Sequence, residues 1–347
     1  MNSTGYRVAI AGATGAVGQQ MLKTLEERNF PVSELKLLSS ERSAGKIVMF
    51  KGKSYTVEAA KPESFENIQI ALFSAGGSVS KELAPEAVKR GAIVIDNTSA
   101  FRMDPDVPLV VPEVNEHALK LHNGIIANPN CSTIQMVAAL EPLRKAYGLN
   151  KVVVSTYQAV SGAGAAAINE LHDQTRAILD GTEFTPSVLP VKGDEKHYQI
   201  AYNAIPQIDK FQDNGYTFEE MKMINETKKI MELPGLPVAA TCVRLPVVTG
   251  HSESVYIELG KGGAEVADLH KLFNEAPGIQ LQDIPAEQIY PMPADCVGKY
   301  DVFVGRVRKD LDTDYGFHLW IVSDNLLKGA AWNSVQIAES LIKLDLV

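Results

Sequence analysis

The sequence predicts an α/β protein with two domains, an N-terminal doubly wound parallel sheet and a C-terminal α+β domain with a mixed sheet. In the first half, short apolar segments alternate with helical segments, which is typical of parallel β–α–β units. In the second half, strand-like segments at 301–308 and 315–322 are separated by a turn, which indicates an antiparallel hairpin. The length of 347 residues accommodates two domains of ordinary size.

The composition is that of a globular protein, with 45% hydrophobic and 22% charged residues. A net charge of −9 argues against broad binding to nucleic acid or to anionic membranes. The three cysteines are too few and too scattered for a disulfide framework, and they form no Cys-x-x-Cys pair typical of a metal site. The first predicted strand begins near residue 7, so we expect no signal peptide and a cytoplasmic protein.

The first domain begins with a glycine-rich turn between a strand at 7–11 and a helix at 19–28. This order predicts a Rossmann dinucleotide-binding unit. In such a unit Gly12 permits the tight turn, Gly15 lets the backbone approach a pyrophosphate, and Gly18 lets the helix pack on the strand. The spacing G-x-x-G-x-x-G differs from the commoner G-x-G-x-x-G, and a glycine-rich turn without a ligand is the alternative.

The segment after the second predicted strand bears on which dinucleotide binds. An acidic residue about 20 positions past the turn commonly accepts the ribose 2′-hydroxyl of NAD, and Glu41 lies in that region. Its neighbours Ser40, Arg42 and Ser43 supply hydroxyls and a cation, which suit the 2′-phosphate of NADP. NADP is therefore favoured, while Glu41 keeps NAD open.

Polar residues follow two further predicted strands, at the edge where such folds bind ligands. Arg102 follows the strand at 93–96 and is either an anion-binding group or a surface salt-bridge residue. Gln158 ends a buried strand and precedes Ser161 and Gly162, which could approach a nicotinamide ring. Gln158 is otherwise an ordinary amide at a strand end.

Cys131 lies in the segment Asn-Pro-Asn-Cys-Ser-Thr, directly before a predicted helix at 132–146. Unpaired N–H groups and the helix dipole favour a thiolate at that place, so we expect the pKa of this thiol to fall below about 8.5. The alternative is a small buried hydrophobic residue, which describes most free cysteines.

Four residues of the second half are further candidates. Glu226 and Lys229 lie three positions apart on a helix that begins with a Thr-x-x-Glu capping box, and such pairs are commonly solvated salt bridges. Arg244 lies in a strand-like segment. His251 follows a glycine at a bend before a strand at 254–259, where it can reach a nucleophile or be an exposed imidazole.

These motifs, in this order and spacing, resemble the aspartate-β-semialdehyde dehydrogenase family from end to end, in particular its shorter, Gram-positive-like branch. Each motif alone is weak, but the combination is specific. The segments that carry the resemblance are 12–18, 97–102, 128–133, 158–162, 226–229, 244–253 and 323–332.

The resemblance implies how the two domains are organised. It predicts an NADP-binding Rossmann domain at 1–130 and a catalytic and dimerisation domain at 131–326, of the type found at the C-terminus of glyceraldehyde-3-phosphate dehydrogenase. The last segment, 327–347, is then a helix that returns to the first domain. A homodimer or a dimer of dimers is also implied.

The resemblance also assigns roles to single residues. Cys131 is the implied nucleophile, His251 the acid/base, and Gln158 the amide that orients the reacting group. The implied substrate contacts are Arg244 to the α-carboxylate, Glu226 to the α-ammonium, and Arg102 with Lys229 to the phosphate. The implied NADP contacts come from Gly12, Thr14, Gly15, Ala16, Val17, Ser40, Arg42, Ser43, Ser161, Gly162 and Asn325.

The implied reaction is NADPH-dependent reductive dephosphorylation of L-4-aspartyl phosphate to L-aspartate 4-semialdehyde through a Cys131 thioester. This step belongs to lysine, diaminopimelate, threonine and methionine biosynthesis. The implied charges match the carboxylate, ammonium and phosphate of that substrate without a metal. One alternative is a related acyl-phosphate reductase such as N-acetyl-glutamyl-phosphate reductase, whose acetylated amine would not need Glu226. The other is a non-catalytic NADP-binding sensor.

Overall fold

The computed structural model describes residues 5–347, which fall into two compact units. The first unit contains the chain up to Asn130 together with Ala330–Val347, and the second contains Cys131–Gly329. Within residues 5–347, no helix combines the length and the apolar character needed to cross a membrane.

Strands and helices alternate along much of the chain. The strands are β1 Tyr6–Ala11, β2 Val32–Ser39, β3 Ile47–Phe50, β4 Lys53–Thr56, β5 Glu58–Ala59, β6 Ile70–Phe73, β7 Ile93–Asp96, β8 Ile125–Ala127, β9 Leu149–Gln158, β10 Val238–Arg244, β11 His251–Leu259, β12 Ile279–Leu281, β13 Val302–Lys309 and β14 Gly316–Ser323. The helices are α1 Ala16–Glu27, α2 Gly77–Lys89, α3 Pro112–Asn115, α4 Cys131–Tyr147, α5 Ala165–Asp180, α6 Phe218–Ile230, α7 Val266–Glu275, α8 Pro293–Cys296 and α9 Trp332–Lys343.

The first unit contains a parallel six-stranded sheet in the order β5-β2-β1-β6-β7-β8. This order confirms the predicted doubly wound arrangement. The central strands β1, β6 and β7 are almost wholly apolar and buried, because helices pack against such a sheet. The order reverses between β1 and β6, which opens a crevice at the carboxyl ends of these two strands.

The last helix, α9, belongs to the first unit and contacts α1, α3 and β7. The guanidinium of Arg28 lies 4.6 Å from the ring centroid of Trp332 and pairs with Glu339 at 3.2 Å. The inner residues of α9, among them Val335, Ala338 and Leu341, are fully buried. The apolar stripe that predicted this helix therefore faces the protein interior.

The second unit contains a six-stranded sheet in the order β10-β9-β11-β14-β13-β12. β10 pairs with β9 in parallel and β12 with β13 in parallel, while the other pairs are antiparallel. The predicted mixed sheet and the predicted β13–β14 hairpin are thus confirmed. Helix α4 contacts four of these strands, and α6 contacts β10.

Several element boundaries differ from the prediction; for example, α1 begins at Ala16 instead of residue 19. β11 begins at His251 instead of residue 254, because Ser252 and Glu253 pair with both β9 and β14 despite their polar side chains. The predicted helix from residue 327 begins with a π-helical turn, Leu327–Ala331, before α9 starts. The side-chain pattern of a single π turn does not differ visibly from that of an α-helix.

Candidate active site

A cleft of about 560 Å³ lies in the first unit at the carboxyl ends of β1, β2 and β6. Four residues predicted to bind the cofactor line it, namely Gly12, Thr14, Gly15 and Ser40. The cleft lies where the strand order reverses, which is the place where doubly wound sheets bind nucleotides.

The glycine turn brings backbone instead of side chains to this cleft. Gly12 has a φ of +89°, and a Cβ there would collide with the carbonyl oxygen of Ser74. A Cβ at Gly18 would collide with the carbonyl oxygen of Gly12, so this glycine permits close packing of α1 on β1. Gly15 directly precedes α1 and provides no capping side chain, so the N–H groups of the first turn suit a diphosphate. The turn therefore fits a dinucleotide.

The other predicted cofactor residues of the first unit do not line the cleft. Ala16 and Val17 form the first residues of α1, and Arg42 and Ser43 belong to a short 3₁₀ helix after β2. The Ser43 hydroxyl lies 3.4 Å from Oγ1 of Thr14, so it remains close to the glycine turn.

Lys61 lines the same cleft, and sequence reasoning missed it. The N–H of Ala60 donates to the carbonyl oxygen of Ser39 at 2.8 Å, which holds the lysine segment beside the end of β2. Glu41 also lines the cleft, so one acid and one cation share it. No periodic pattern could have revealed β5, because that strand has only two residues.

Arg102 is buried at the ends of β7 and β8. Its Nε donates to the carbonyl oxygen of Asn128 at 3.0 Å, and one terminal nitrogen donates to the carbonyl oxygen of Asn97 at 3.0 Å. The side-chain amide of Asn128 donates to the side-chain oxygen of Asn97 at 2.7 Å. These bonds fix the guanidinium at a strand end, as expected of a positioned cation.

In the second unit, the sheet topology brings three predicted residues to one edge. Gln158 and Arg244 are the last residues of the parallel strands β9 and β10 and pair with each other in register. His251 is the first residue of β11, which runs antiparallel to β9. An antiparallel strand begins at the edge where its neighbour ends, so all three side chains lie at that edge.

The imidazole of His251 is fully buried. The N–H of Ala159 donates to its Nδ1 at 3.0 Å. A backbone N–H can only donate, so Nδ1 carries no proton and the neutral ring carries its proton on Nε2. Burial, followed by the charge of Arg244, lowers the pKa of His251 to about 3, with Glu219 opposing the change. At neutral pH this side chain is therefore a neutral donor through Nε2.

Gln158 is held by two buried side chains. The Thr156 hydroxyl donates to its Oε1 at 2.9 Å, and its Nε2 donates to Oε1 of Glu219 at 3.1 Å. Sequence reasoning missed Glu219, because it appears there only as one acid within a capping box. The capping box itself is confirmed, with reciprocal bonds between Thr217 and Glu220.

Arg244 is a buried cation beside the candidate nucleophile. It donates to the carbonyl oxygen of Ala159 at 2.7 Å. Burial lowers the pKa of Arg244, while the charges of Glu219 and Cys131 oppose that change. The thiol of Cys131 therefore lies within electrostatic reach of a guanidinium, a setting that favours thiolate.

Cys131 is itself the first residue of α4, one position earlier than predicted. It is partly exposed, whereas Cys242 and Cys296 are buried. A Cβ at Gly329 would lie 2.7 Å from the Cβ of Cys131, so the chain passes directly against the start of the helix. The position at a helix start confirms the local setting from which thiol reactivity was predicted.

Three residues predicted to contact the cofactor lie beside this catalytic edge. The side chains of Ser161 and Asn325 hydrogen-bond each other, with Nδ2 donating at 2.9 Å. The N–H of Gly250 donates to Oδ1 of Asn325 at 2.8 Å. A Cβ at Gly162 would lie 3.3 Å from Nε2 of His251, so this glycine leaves room in front of the ring.

Glu226 and Lys229 both lie on α6, as predicted. Glu226 is buried and Lys229 is half-buried, so neither is an ordinary solvated surface charge. In the part of the chain that the structure describes, no group of three or more His, Cys, Asp or Glu residues is placed to hold a metal ion.

Comparison with known proteins decides the family. Residues 7–122 match the family described as Semialdehyde dehydrogenase, NAD binding domain, and residues 140–328 match Semialdehyde dehydrogenase, dimerisation domain. The aspartate-semialdehyde dehydrogenase of Bacillus subtilis (strain 168) is 76% identical over 343 residues, which cover 99% of each chain. The chain belongs to the aspartate-semialdehyde dehydrogenase family. The resemblance read from the motifs is therefore confirmed.

Solved structures of aspartate-semialdehyde dehydrogenases agree with this assignment. The crystal structure of enzyme II from Vibrio cholerae has a TM-score of 0.92 at 49% identity and covers 98% of this chain and 99% of that chain. A second structure of enzyme II is described as complexed with ASA. The structure from Candida albicans with NADP has a TM-score of 0.76 at 26% identity and covers 99% of this chain and 100% of that chain. The predicted fold class and the predicted oxidoreductase class are thereby confirmed.

Proposed function

We propose that this chain converts L-4-aspartyl phosphate to L-aspartate 4-semialdehyde with release of phosphate, through a thioester on Cys131. The observation that carries the proposal is the arrangement at one edge of the second sheet. A neutral histidine donor, an amide and an arginine meet there. The guanidinium of that arginine interacts electrostatically with the Cys131 thiolate. Acyl transfer needs a nucleophile together with donors for the oxygen that becomes charged.

In the first half-reaction the Cys131 thiolate adds to the acyl carbon of the substrate. A C–S bond forms, and the π electrons of the carbonyl move onto its oxygen. When the carbonyl re-forms, phosphate leaves with the electron pair of the C–O bond. Arg244 supports this step, because a nearby cation stabilises the thiolate.

NADP is the proposed cofactor, and bound NADPH supplies the hydride that reduces the thioester. Gly12, Thr14, Gly15 and Ser40 would hold it, since they line the cleft of the first unit. The NADP in the structure of the Candida albicans relative supports this choice. Ser161, Gly162 and Asn325 would act at the catalytic edge of the second unit, where they lie close to His251 and Gly250.

His251 would stabilise the charged oxygen of the last intermediate as a hydrogen-bond donor. When the carbonyl of the aldehyde re-forms, the C–S bond breaks and its electron pair returns to Cys131 as thiolate. The Nε2–H of His251 can donate to the oxygen of the thiohemiacetal that forms on Cys131, whereas Nδ1 is occupied by the N–H of Ala159. The ring offers no free basic nitrogen to the thiol in this tautomer. The geometry therefore supports a hydrogen-bond donor role for His251 within its predicted acid/base role. We propose that the charge of Arg244 and the start of α4 stabilise the Cys131 thiolate.

Four charged residues would bind the charged groups of the substrate. Arg244 would bind the α-carboxylate, Glu226 the α-ammonium, and Arg102 and Lys229 the phosphate. The position of Arg244 supports its role, because Arg244 pairs in register with Gln158 at the catalytic edge. Glu226 is 1% exposed and Arg244 is 5% exposed.

We also propose that residues 131–326 form the interface of a homodimer or of a dimer of dimers. The dimerisation-domain match over 140–328 supports this proposal. The outer face of the second sheet carries half-exposed aromatic pairs, Tyr157 with Trp320 and Tyr256 with His318. Light scattering should give two or four times the chain mass of 37.7 kDa, and a monomer at micromolar concentration would contradict the proposal.

One assay tests the reaction directly. The protein is mixed with aspartate semialdehyde and NADP, with and without phosphate, and NADPH formation is followed by absorbance. We expect reduction of NADP only with phosphate or arsenate, because the thioester needs an oxyanion acceptor. Activity indifferent to both anions would indicate a hydrolytic aldehyde dehydrogenase. Activity with N-acetyl-glutamate semialdehyde, unaffected by Glu226→Gln, would indicate the related acyl-phosphate reductase.

A further inference from the structure

A chain of side-chain amides leads from the last helix of the first unit to the surroundings of Arg102. Asn333, the second residue of α9, donates from Nδ2 to Oδ1 of Asn128 at 2.7 Å. Asn128 in turn donates from its Nδ2 to Oδ1 of Asn97 at 2.7 Å. Asn333 and Asn128 are both fully buried, so breaking either bond would leave buried polar atoms poorly satisfied.

A backbone carbonyl sets the direction of these amides. Nδ2 of Asn333 also donates to the carbonyl oxygen of Val110 at 3.0 Å, and a carbonyl oxygen can only accept. The NH₂ end of Asn333 must therefore face Val110, and its second N–H reaches Oδ1 of Asn128. That contact leaves the NH₂ end of Asn128 facing Oδ1 of Asn97. The orientation of each amide thus depends on Asn333.

The same two asparagines supply backbone acceptors for Arg102. Its Nε donates to the carbonyl oxygen of Asn128, and a terminal nitrogen donates to that of Asn97, both at 3.0 Å. The N–H of Asn128 donates to the carbonyl oxygen of Asp96 at 2.8 Å, at the carboxyl ends of β7 and β8. Directly after this end of the sheet, the side-chain bond between Asn128 and Asn97 ties the two segments together. The separation of the two carbonyls that hold the guanidinium therefore depends on this bond.

We propose that Asn333 is a positioning residue that holds the Asn128–Asn97 pair, and thereby the guanidinium of Arg102, in the orientation that binds phosphate. The inference rests on the proposed function, which assigns the phosphate to Arg102 and Lys229. A guanidinium binds phosphate through paired N–H groups in a fixed plane, so a small rotation weakens the contact. Without Asn333 the amide of Asn128 can turn and lose its bond to Asn97, and the two carbonyls can then move apart.

The decisive variant is Asn333→Leu, which has a similar shape but cannot donate to Asn128 or Val110. Oxidation of aspartate semialdehyde is measured while phosphate, NADP and the aldehyde are varied in turn. We expect kcat/KM for phosphate to fall about tenfold, because displacement of a binding group by about 1 Å commonly has an effect of this size or larger. The KM for NADP and the KM for the aldehyde should each stay within about twofold, since their contacts are not removed.

Val335→Ala is the matched control for the packing of α9. Val335 lies two residues further along the helix and is fully buried, so its truncation leaves a cavity and should lower Tm. A valine side chain makes no hydrogen bonds, so the amide chain stays intact and kcat/KM for phosphate should stay within about twofold. Equal losses of kcat/KM in Asn333→Leu and Val335→Ala would mean that Asn333 acts only through packing, which overturns the inference.

Two further combinations test the amide chain itself. Asn97→Ala removes the acceptor at the other end of the chain, at a half-buried position. It should lower kcat/KM for phosphate by a similar factor, and the double variant with Asn333→Leu should lose no more than about twofold beyond either single variant. In an Arg102→Lys background, Asn333→Leu should change kcat/KM for phosphate less than about twofold, because an ammonium lacks the planar fork that the two carbonyls orient.

The inference is wrong if kcat/KM for phosphate in Asn333→Leu stays within about threefold of wild type, or if the losses in the double variant add fully. If Asn333→Leu does not fold, Asn97→Ala replaces it, and an unchanged kcat/KM for phosphate there also overturns the inference.

The proposed function is tested separately, by phosphate-dependent turnover of the wild-type protein and by a higher KM for phosphate in Arg102→Lys. If both hold while the Asn333 and Asn97 results fail, only the positioning role is wrong. If Arg102→Lys leaves the KM for phosphate unchanged, the phosphate role of Arg102 fails, and the inference fails with it.

Discussion

The cleft of the first unit and the catalytic edge of the second unit are built in different ways. In the cleft, glycines bring the backbone close, and the recognition groups are N–H groups and short side chains within one βα turn. At the catalytic edge, buried side chains from β9, β10, β11 and α6 are held by hydrogen bonds to one another and to the backbone of Ala159. The first kind of site is local in sequence, and the second is assembled from distant segments.

This difference predicts how each site responds to change. Adding a side chain should damage the cleft, because the backbone there must come close to the bound cofactor. Removing a side chain should damage the catalytic edge, because each group there orients the next. Substitutions in the cleft should therefore affect cofactor affinity, and substitutions at the catalytic edge should affect kcat.

The largest effect is expected from Cys131→Ala. Turnover should fall by about three orders of magnitude or more, because no other side chain replaces the nucleophile. NADPH affinity, measured by fluorescence titration, should stay within about twofold, since Cys131 does not line the cleft. The control is Cys296→Ala, because Cys296 is buried and burial raises its pKa to about 11. Retention of a tenth of the turnover in Cys131→Ala would contradict the thioester mechanism.

Next in size is Gly12→Ala. The added Cβ would collide with the carbonyl of Ser74 at a φ of +89°, so the turn must distort. We expect the Kd for NADPH to rise at least about tenfold, with a lower Tm. In the control Gly235→Ala the new Cβ meets no atom within 4 Å. An unchanged Kd in Gly12→Ala would show that the cleft does not bind through its backbone.

The buried histidine predicts an acid-sensitive stability. The pKa of His251 is about 3 in the folded protein and about 6.5 in an unfolded chain. Between these values the unfolded state binds more protons, so stability falls as pH falls. From pH 6.5 to 5 the free energy of unfolding should drop by about 2 kcal/mol more in wild type than in His251→Leu. Urea denaturation at the two pH values measures this, and equal drops would argue against a buried neutral imidazole.

The smallest effect is expected from Lys61→Ala. Lys61 lines the cleft with Glu41 and Ser40, so its ammonium can favour the 2′-phosphate that Glu41 disfavours. The KM for NADPH should rise about fivefold, as for an exposed ion pair, while the KM for NADH stays constant. Lys53→Ala, on β4 outside the cleft lining, is the control. Equal changes in the KM for NADPH and the KM for NADH would show that Lys61 does not discriminate between the two cofactors.

Sequence reasoning was most successful where structure is local. The spacing of Gly12, Gly15 and Gly18 predicted the turn, and the run before Cys131 predicted a helix start, because both depend on neighbouring residues. The same reasoning missed Glu219 and Lys61. Glu219 lies 61 positions from its partner Gln158, and Lys61 follows a strand of two residues.

His251 shows why chemistry needs more than residue identity. The sequence alone determined that a histidine follows a glycine before a strand, along with the fold class and the family that the motifs resemble. The tertiary structure decided that this ring is buried, that the N–H of Ala159 sets its tautomer, and that Arg244 lies close enough to lower its pKa. Local periodicity and turn preferences act between neighbours along the chain. Tautomers, amide orientations and pKa values depend instead on burial and on partners that only folding brings within a few ångströms.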